Sequence, residues 1–394
     1  MKEIFDILEE YGRIDFSERK AALATVVRVE GSSYRQPGAR MLITDDGNLT
    51  GAISGGCLEG DALRKALMVM ARGKPMMVSY DTTDENDAKL GIGLGCNGII
   101  HILIEPIDPV NRENPVELLR AVSSKRQLSV LITLCSLQDK FEYQPGTCIA
   151  FSENGRLSGT LPPGIDPAGV NSLVNEAMER KMSLIGSTGM NGQELNVFAD
   201  LILPVVSLVI AGAGNDVIPL VKLARLMAWK ITLLDGRASY ATCRRFPEVQ
   251  QILVTDAEQA LSEVSPDDRT VFVLMTHNYN YDLALLKKLV TIPIPYIGVL
   301  GPKKKLHRMF AEIAAGKNGK NESRFNNVYG PVGLDIGAET AEEIAVSVVA
   351  EIKAILSGKP GKSLRNKTDS IHSRSGEEMP GIKTQVELQS LHNG

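Results

Sequence analysis

The chain lacks any Cys-x-x-Cys pair. Its five cysteines, spread over 394 residues, exclude a disulfide scaffold and a zinc ribbon and suit a reducing compartment. Basic charge is not in excess either. Forty-three Lys+Arg stand against 47 Asp+Glu, which speaks against a strongly basic nucleic-acid binder. No apolar run is long enough to cross a bilayer, which takes about 20 residues. The longest, Leu201 to Ala213, is interrupted by Pro204 and Ser207. The first ten residues form an acidic amphipathic pattern without the apolar core of a signal peptide. These absences predict a cytoplasmic protein with no nucleic-acid or membrane partner. Aromatic residues make up only 5 % of the chain, whereas glycine is plentiful at 36 residues, above the usual share of about 7 %.

At about 150 residues per domain, the length predicts two or three cores. Residues 1–108 read as a mixed α/β domain. Ala21 to Val29 is a β-rich run, and Arg40–Thr44 and Leu49–Ile53 flank turn residues as a hairpin. Apolar positions 58, 62, 63, 66, 67 and 70 make a helical stripe. Met76–Tyr80 and Ile99–Ile104 read as further strands. Residues 109–203 carry no chemical constellation; with a strand at Leu128–Leu134 and a helix at Val170–Lys181, they read as a middle or connecting segment expected to pack with the first domain. From 204 to 358, strands and helices alternate: Val205–Ile210, Lys230–Leu234, Ile252–Val254, Thr270–Met275 and Tyr296–Leu300 are separated by helical patterns, including Leu283–Val290. Such alternation predicts a Rossmann-like, doubly wound parallel sheet. Thr340 and Glu343 fit a capping box on a closing helix. Residues 359–394 read as a polar tail without a core of their own.

Most of a dinucleotide fingerprint stands at Ala211–Val217. Gly212 permits a tight turn, Gly214 lets backbone N–H groups approach a pyrophosphate, and Asp235 ends the next strand where ribose hydroxyls would lie. The third glycine is replaced by Val217, and Asp216 sets a negative charge where phosphate would sit. His277 follows a later strand, where doubly wound sheets place ligands, and is a candidate proton donor or phosphate contact; the alternative is a loop histidine bonded locally. These four residues, Gly212, Gly214, Asp235 and His277, motivate one functional reading: an NAD(P)-dependent oxidoreductase. The bland alternative is that the glycines serve only the strand–helix turn.

Two glycine–cysteine turns in the first domain motivate another. Ser54-Gly-Gly-Cys-Leu-Glu-Gly-Asp61 stands at a strand-to-helix junction. There Cys57 gains thiolate character from the helix dipole, and Gly55 and Gly56 admit a ligand close to the backbone. Glu59 and Asp61 are candidate acids or bases, or simply helix caps. The second turn, Gly91-Ile-Gly-Leu-Gly-Cys-Asn-Gly98, sets Cys96 between Gly95 and Asn97 just before a strand. A cysteine taken singly is more often a small buried hydrophobe; two in glycine-rich loops of one unit point to function. Arg35 and Arg40, within Glu30-Gly-Ser-Ser-Tyr-Arg-Gln-Pro-Gly-Ala-Arg40, are candidate phosphate or carboxylate contacts, or surface arginines of a hairpin. A thiol-redox pair is disfavoured by the missing Cys-x-x-Cys.

Together these segments resemble the xanthine dehydrogenase accessory factor family (XdhC/CoxI). The first-domain motifs at 30–41, 51–61 and 93–98 carry the likeness. Ala211–Gly214, Leu234–Arg237, Met275–His277, Ile297–Gly301 and Gly330–Thr340 extend it into the second half. The resemblance implies a non-catalytic chaperone that holds molybdenum cofactor (molybdopterin) and inserts it into a molybdenum hydroxylase apoenzyme such as xanthine dehydrogenase. It also implies, for some members, presentation of the cofactor to a cysteine desulfurase. By motif position Cys96 is the first candidate for holding the cofactor and Cys57 the second, both as transient molybdenum contacts. Gly55, Gly56, Glu59, Gly95, Asn97, Arg35 and Arg40 complete the candidate cofactor-binding set. A soft thiolate suits a sulfur-rich metal centre, and glycine-rich N–H groups and arginine suit the terminal phosphate. A homodimer is the expected assembly.

Overall fold

A computed structural model of the chain describes residues 1–82, 98–137, 143–190, 193–315 and 325–368, with the backbone of 385–387. It divides into two compact units, Met1–Pro204 with Thr368–Gly394, and Val205–Lys367.

The first unit opens with α1 (Lys2–Tyr11), followed by β1 (Ala21–Gly31), β2 (Arg40–Thr44), β3 (Leu49–Gly51), α2 (Glu59–Arg72), β4 (Met76–Asp81) and β5 (Gly98–Pro106). These five strands form one antiparallel sheet in the order β3-β2-β1-β5-β4. Then come α3 (Pro115–Ser123), β6 (Ser129–Cys135), β7 (Gly146–Ser152), β8 (Gly155–Gly159), α4 (Pro167–Arg180), β9 (Leu184–Met190) and β10 (Gln193–Ile202). Strands β6 to β10 make a second sheet in the order β9-β10-β6-β7-β8, antiparallel throughout. Residues 109–204 thus supply a sheet of the first unit.

Alternation explains the layering. Ala22, Ala24 and Val26 of β1 face α2 through Ala62, Ala66 and Val69. Their neighbours Ala21 and Leu23 pack on α1, α3, Leu131 of β6 and Ala150 of β7. Val130, Ile132 and Leu134 of β6 face α4 through Val170, Leu173 and Ala177. The layers therefore run α2, first sheet, second sheet, α4, with α1 and α3 packed on the inner faces. Both faces of β6 and of the first part of β1 are covered, so β6 is buried throughout and β1 from Ala21 to Val27.

Charge is also held between the sheets. Arg40 of β2 and Asp200 of β10 pair at 2.7 Å with side chains 2 % and 8 % exposed. Glu105 of β5 accepts the backbone N–H of Thr147 in β7 at 2.7 Å and its hydroxyl at 2.8 Å. Gly38 leaves room for Asp200, since a Cβ there would stand 2.9 Å from its Oδ1.

The second unit comprises β11 (Ser207–Ala211), α5 (Val217–Leu226), β12 (Lys230–Asp235), β13 (Gln251–Val254), β14 (Thr270–Leu274), α6 (Tyr279–Leu289), β15 (Tyr296–Val299), α7 (Lys303–Ala315), β16 (Val328–Tyr329) and α8 (Ala341–Leu356). Its six strands are parallel in the order β13-β12-β11-β14-β15-β16. Counted within the unit this is 3-2-1-4-5-6, the order of dinucleotide-binding folds. α5 and α8 cover one face, with Leu208, Ile210, Val271 and Val273 beneath them. α6 and α7 cover the other, over Val209, Ala211, Phe272 and Leu274. The mixed α/β first half and doubly wound second half match the fold expected from the sequence. α6 begins four residues earlier than its apolar stripe, because Asn278 caps it by accepting the N–H groups of Asn280 and Tyr281. The Thr340–Glu343 capping box is present. In the tail, β17 (Gln385–Glu387) pairs parallel with β9.

Candidate functional site

Two of the first-domain motifs, 30–41 and 51–61, and Gly98 of the third stand at one end of the five-stranded sheet. β1 ends at Gly31, directly paired with Gly98 at the start of β5. β4 ends at the same edge, where Thr82 donates its N–H to Gly98 O at 2.9 Å and accepts the Gly98 N–H at 3.0 Å. Cys96, Gly95 and Asn97 lie in the segment between those two feet, outside the described residues. Gly98 itself has no room for a side chain, since a Cβ would stand 2.5 Å from both Glu30 O and Ser32 O. β3 ends at Gly51, and the turn that follows carries Cys57.

Ser54 organises that turn. Its hydroxyl oxygen accepts the N–H groups of Gly56, Cys57 and Leu58, each at 3.1 Å, and receives the Cys57 thiol at 3.4 Å. Glu59, first residue of α2, accepts the Ser54 N–H at 3.0 Å and the Leu58 N–H at 3.1 Å, and also accepts a hydrogen bond from the Ser54 hydroxyl. The Glu59 carboxylate is thus engaged within the turn. Asp61 is likewise occupied, by the Tyr80 hydroxyl at 2.8 Å and by Lys65 at 2.8 Å. Gly56 has φ +107, and among the described residues a Cβ there would meet nothing within 4 Å. No described side chain covers the backbone at that point.

Cys57 is half-buried. Burial pushes the Cys135 and Cys148 thiols up to about 12; those sulfurs are inert core atoms. Cys243 is exposed in the second unit.

The two arginines have different surroundings. Arg35 pairs with Glu3 of α1, whose other oxygen accepts the Arg40 N–H at 2.8 Å. Arg40 is buried between the sheets on Asp200. It therefore does not face an external phosphate. Between the anchored Ser33, 5 % exposed, and Arg35 stands Tyr34, 66 % exposed. Its ring lies against Gly55. Sequence reasoning assigns no role to Tyr34, Ser54 or Glu3, because each acts through a contact that only the fold creates.

In the second unit the glycine turn lies at the switch point between β11 and β14. Gly212 has φ +127, and any side chain would collide with Met275 O, just past the end of β14. Asp235 is 3 % exposed. It accepts the Ala213 N–H at 2.7 Å and the Arg237 N–H at 2.8 Å, and Arg237 Nε and Nη2 at 2.9 and 2.8 Å. Burial raises this carboxyl, but the bonds from Arg237 and Ala213 outweigh it and hold it below the usual carboxylate range. The Asp216 carboxylate folds over Gly214 and pairs with His277 Nε2 at 2.8 Å. His277 has a left-handed backbone, φ +58. Arg245 fastens the same turn through Ala213 O at 2.7 Å and Asn215 Oδ1 at 2.8 Å. Lys305 is committed to Asp282 at 2.7 Å and to Leu300 O at 3.0 Å. Asp235 therefore faces the glycine turn, and an acid–base pair spans the place of a pyrophosphate. These residues do not fit a dinucleotide as they stand.

Among the described residues no group of three or more His, Cys, Asp and Glu is placed to hold a metal ion, and no helix is long and apolar enough to cross a membrane.

Comparison with known proteins agrees with this two-part layout. Residues 17–81 match the XdhC and CoxI family, and residues 208–352 match the XdhC Rossmann domain. The chain is 33 % identical over 335 residues to a probable xanthine dehydrogenase subunit of Bacillus subtilis (strain 168), covering 85 % of this chain and 93 % of that protein. It is 24 % identical over 348 residues to the molybdenum cofactor insertion chaperone PaoD of Escherichia coli (strain K12), covering 86 % and 84 %. A crystal structure of a xanthine dehydrogenase from Bacillus halodurans superposes with a TM-score of 0.72 at 28 % identity, covering 92 % of this chain and 98 % of that one. With its cysteine turn in the first unit and its Rossmann sheet in the second, the chain belongs to the XdhC and CoxI family.

Proposed function

We propose that this chain carries molybdenum cofactor and hands it to a molybdenum hydroxylase apoprotein, acting as an accessory factor rather than as a conventional enzyme. One observation carries the reading: the Cys57 turn and the feet of the Cys96 segment stand at one end of one sheet. The relatives' names, a cofactor insertion chaperone among them, point the same way. The cargo is a pterin with a dithiolene-bound metal and a terminal phosphate. Cys57 and Cys96 supply soft sulfur to the metal, and the backbone at Gly56, which no described side chain covers, admits the cargo closely. Ser54 and Glu59 hold the turn in shape without touching the cargo. A carrier must also release what it holds. Two thiols on loops suit that need better than a closed cage of four ligands. Presentation of the cofactor to a cysteine desulfurase, and a homodimeric assembly, belong to the same proposal.

The test is transfer. Protein purified from a cofactor-producing host is mixed with apo-hydroxylase, and hydroxylase activity is followed. Activity should rise with added protein; no rise above free cofactor would reject insertion. An NAD(P)-dependent oxidoreductase has weaker support, because Asp235 and Asp216 are already engaged. Titration with NADH decides it, and no binding at millimolar cofactor removes it.

A further inference from the structure

We infer that Tyr34 is the stacking platform for the pterin ring of the cargo. The inference rests on the carrier reading and adds a residue that holds the organic part of the cofactor rather than its metal. A Cβ built on Gly55 would lie 3.5, 3.6 and 3.8 Å from Cγ, Cδ1 and Cδ2 of Tyr34. In the ring plane, the region near all three atoms is taken by the ring and by Tyr34's own Cβ. Gly55 must therefore lie over the ring face. One face of the aromatic ring rests on the turn that carries Cys57, while the residue as a whole stays 66 % exposed.

The neighbours of Tyr34 are held in place. Ser33 is buried, Ser32 O lies against Gly98, and Arg35 is paired with Glu3. Tyr34 is the outward residue of an anchored loop, so ordering its ring on binding requires little loss of freedom. A large aromatic ring left open to water forgoes the burial that usually fixes such side chains. Its free face is flat and apolar, with a polar rim at the hydroxyl. Those features suit a flat bicyclic heteroaromatic ring, which stacks on tyrosine as nucleic-acid bases do. The ring packs on Gly55, which stands two residues before Cys57 in the turn after β3. Two adjoining loops thus offer a contact for each end of a pterin–dithiolene–metal unit.

The experiment compares Tyr34→Phe, Tyr34→Trp and Tyr34→Leu with the parent, each expressed in a host that makes molybdenum cofactor. Pterin is oxidised to its fluorescent form and counted per protein after gel filtration, and thermal midpoints are recorded. Phe and Trp should keep the parent's pterin content. Leu should lose about tenfold, the size of one base-like stacking partner, with an unchanged midpoint. A full parent with an equally full Leu variant overturns the platform and leaves the carrier reading intact. An empty parent overturns both. A Leu variant that keeps its pterin but no longer activates apo-hydroxylase makes Tyr34 a client contact, which also overturns the platform.

Discussion

Glu59 accepts the backbone N–H of Ser54 at 3.0 Å, five residues back along the chain, and so closes the turn that presents Cys57. The same carboxylate takes the Leu58 N–H and the Ser54 hydroxyl. Shape is thereby set by residues other than the thiol. Glu59→Ala strips acceptors from three donors at once and should cost about 1–3 kcal/mol of stability. It should also raise the rate at which iodoacetamide alkylates Cys57. Glu59→Gln keeps one acceptor oxygen and should lie between. Equal alkylation rates in all three proteins would show that the turn keeps its shape without the carboxylate.

The ion pair of Arg40 and Asp200 joins two sheets whose strands are 160 positions apart in sequence. Arg40→Met leaves a carboxylate buried without its cation. Urea unfolding should show a loss of about 3–5 kcal/mol. Arg40→Met combined with Asp200→Leu should recover most of it, because the pair's own net contribution is small. A loss under about 1 kcal/mol in the single variant would mean that water reaches the pair.

Glu105 makes stability depend on pH. Burial raises its carboxyl against the pull of the Thr147 bonds and of Arg40. The folded pKa thus lies above the unfolded one, near 4.3. Below that value both states are protonated and the site adds no pH dependence. As pH climbs from there toward the folded pKa, the unfolded state gives up its proton first, and folding becomes costlier. Glu105→Gln removes this loss while keeping an acceptor for Thr147. Urea midpoints measured from pH 4 to pH 7 should fall in the parent relative to the variant. Parallel curves would contradict the assignment.

The second unit is the more legible half of the fold. Five of its six strands are short apolar runs legible in the sequence, and its closing helix carries its own capping box at Thr340 and Glu343; β16, two residues long, is not legible. In the sheet spanning 129–202 the apolar run of β6 is legible, whereas β7 is not, because it is buried on both faces and its Gly, Thr, Cys and Ser positions break the apolar run. The start of α3 has a local signal in Asn114-Pro115, where Asn114 accepts the N–H groups of Val116 and Glu117 at 3.0 Å. At the candidate site, the glycines and Cys57 stand out by pattern. The fate of Arg40 does not, since its partner lies in another sheet, and Tyr34 gains meaning only from its place on Gly55. Asp235 is the right residue for a ribose contact, yet its oxygens already accept from Arg237, two positions on, and from the Ala213 N–H.

The central claim is that thiols at this end of the sheet hold a pterin cofactor. Pterin content per protein, measured after expression in a cofactor-producing host, tests it most directly. The parent should carry pterin, and Cys96→Ser and Cys57→Ser should each carry less, with the double variant lowest. Parent and double variant carrying equal pterin would contradict the claim.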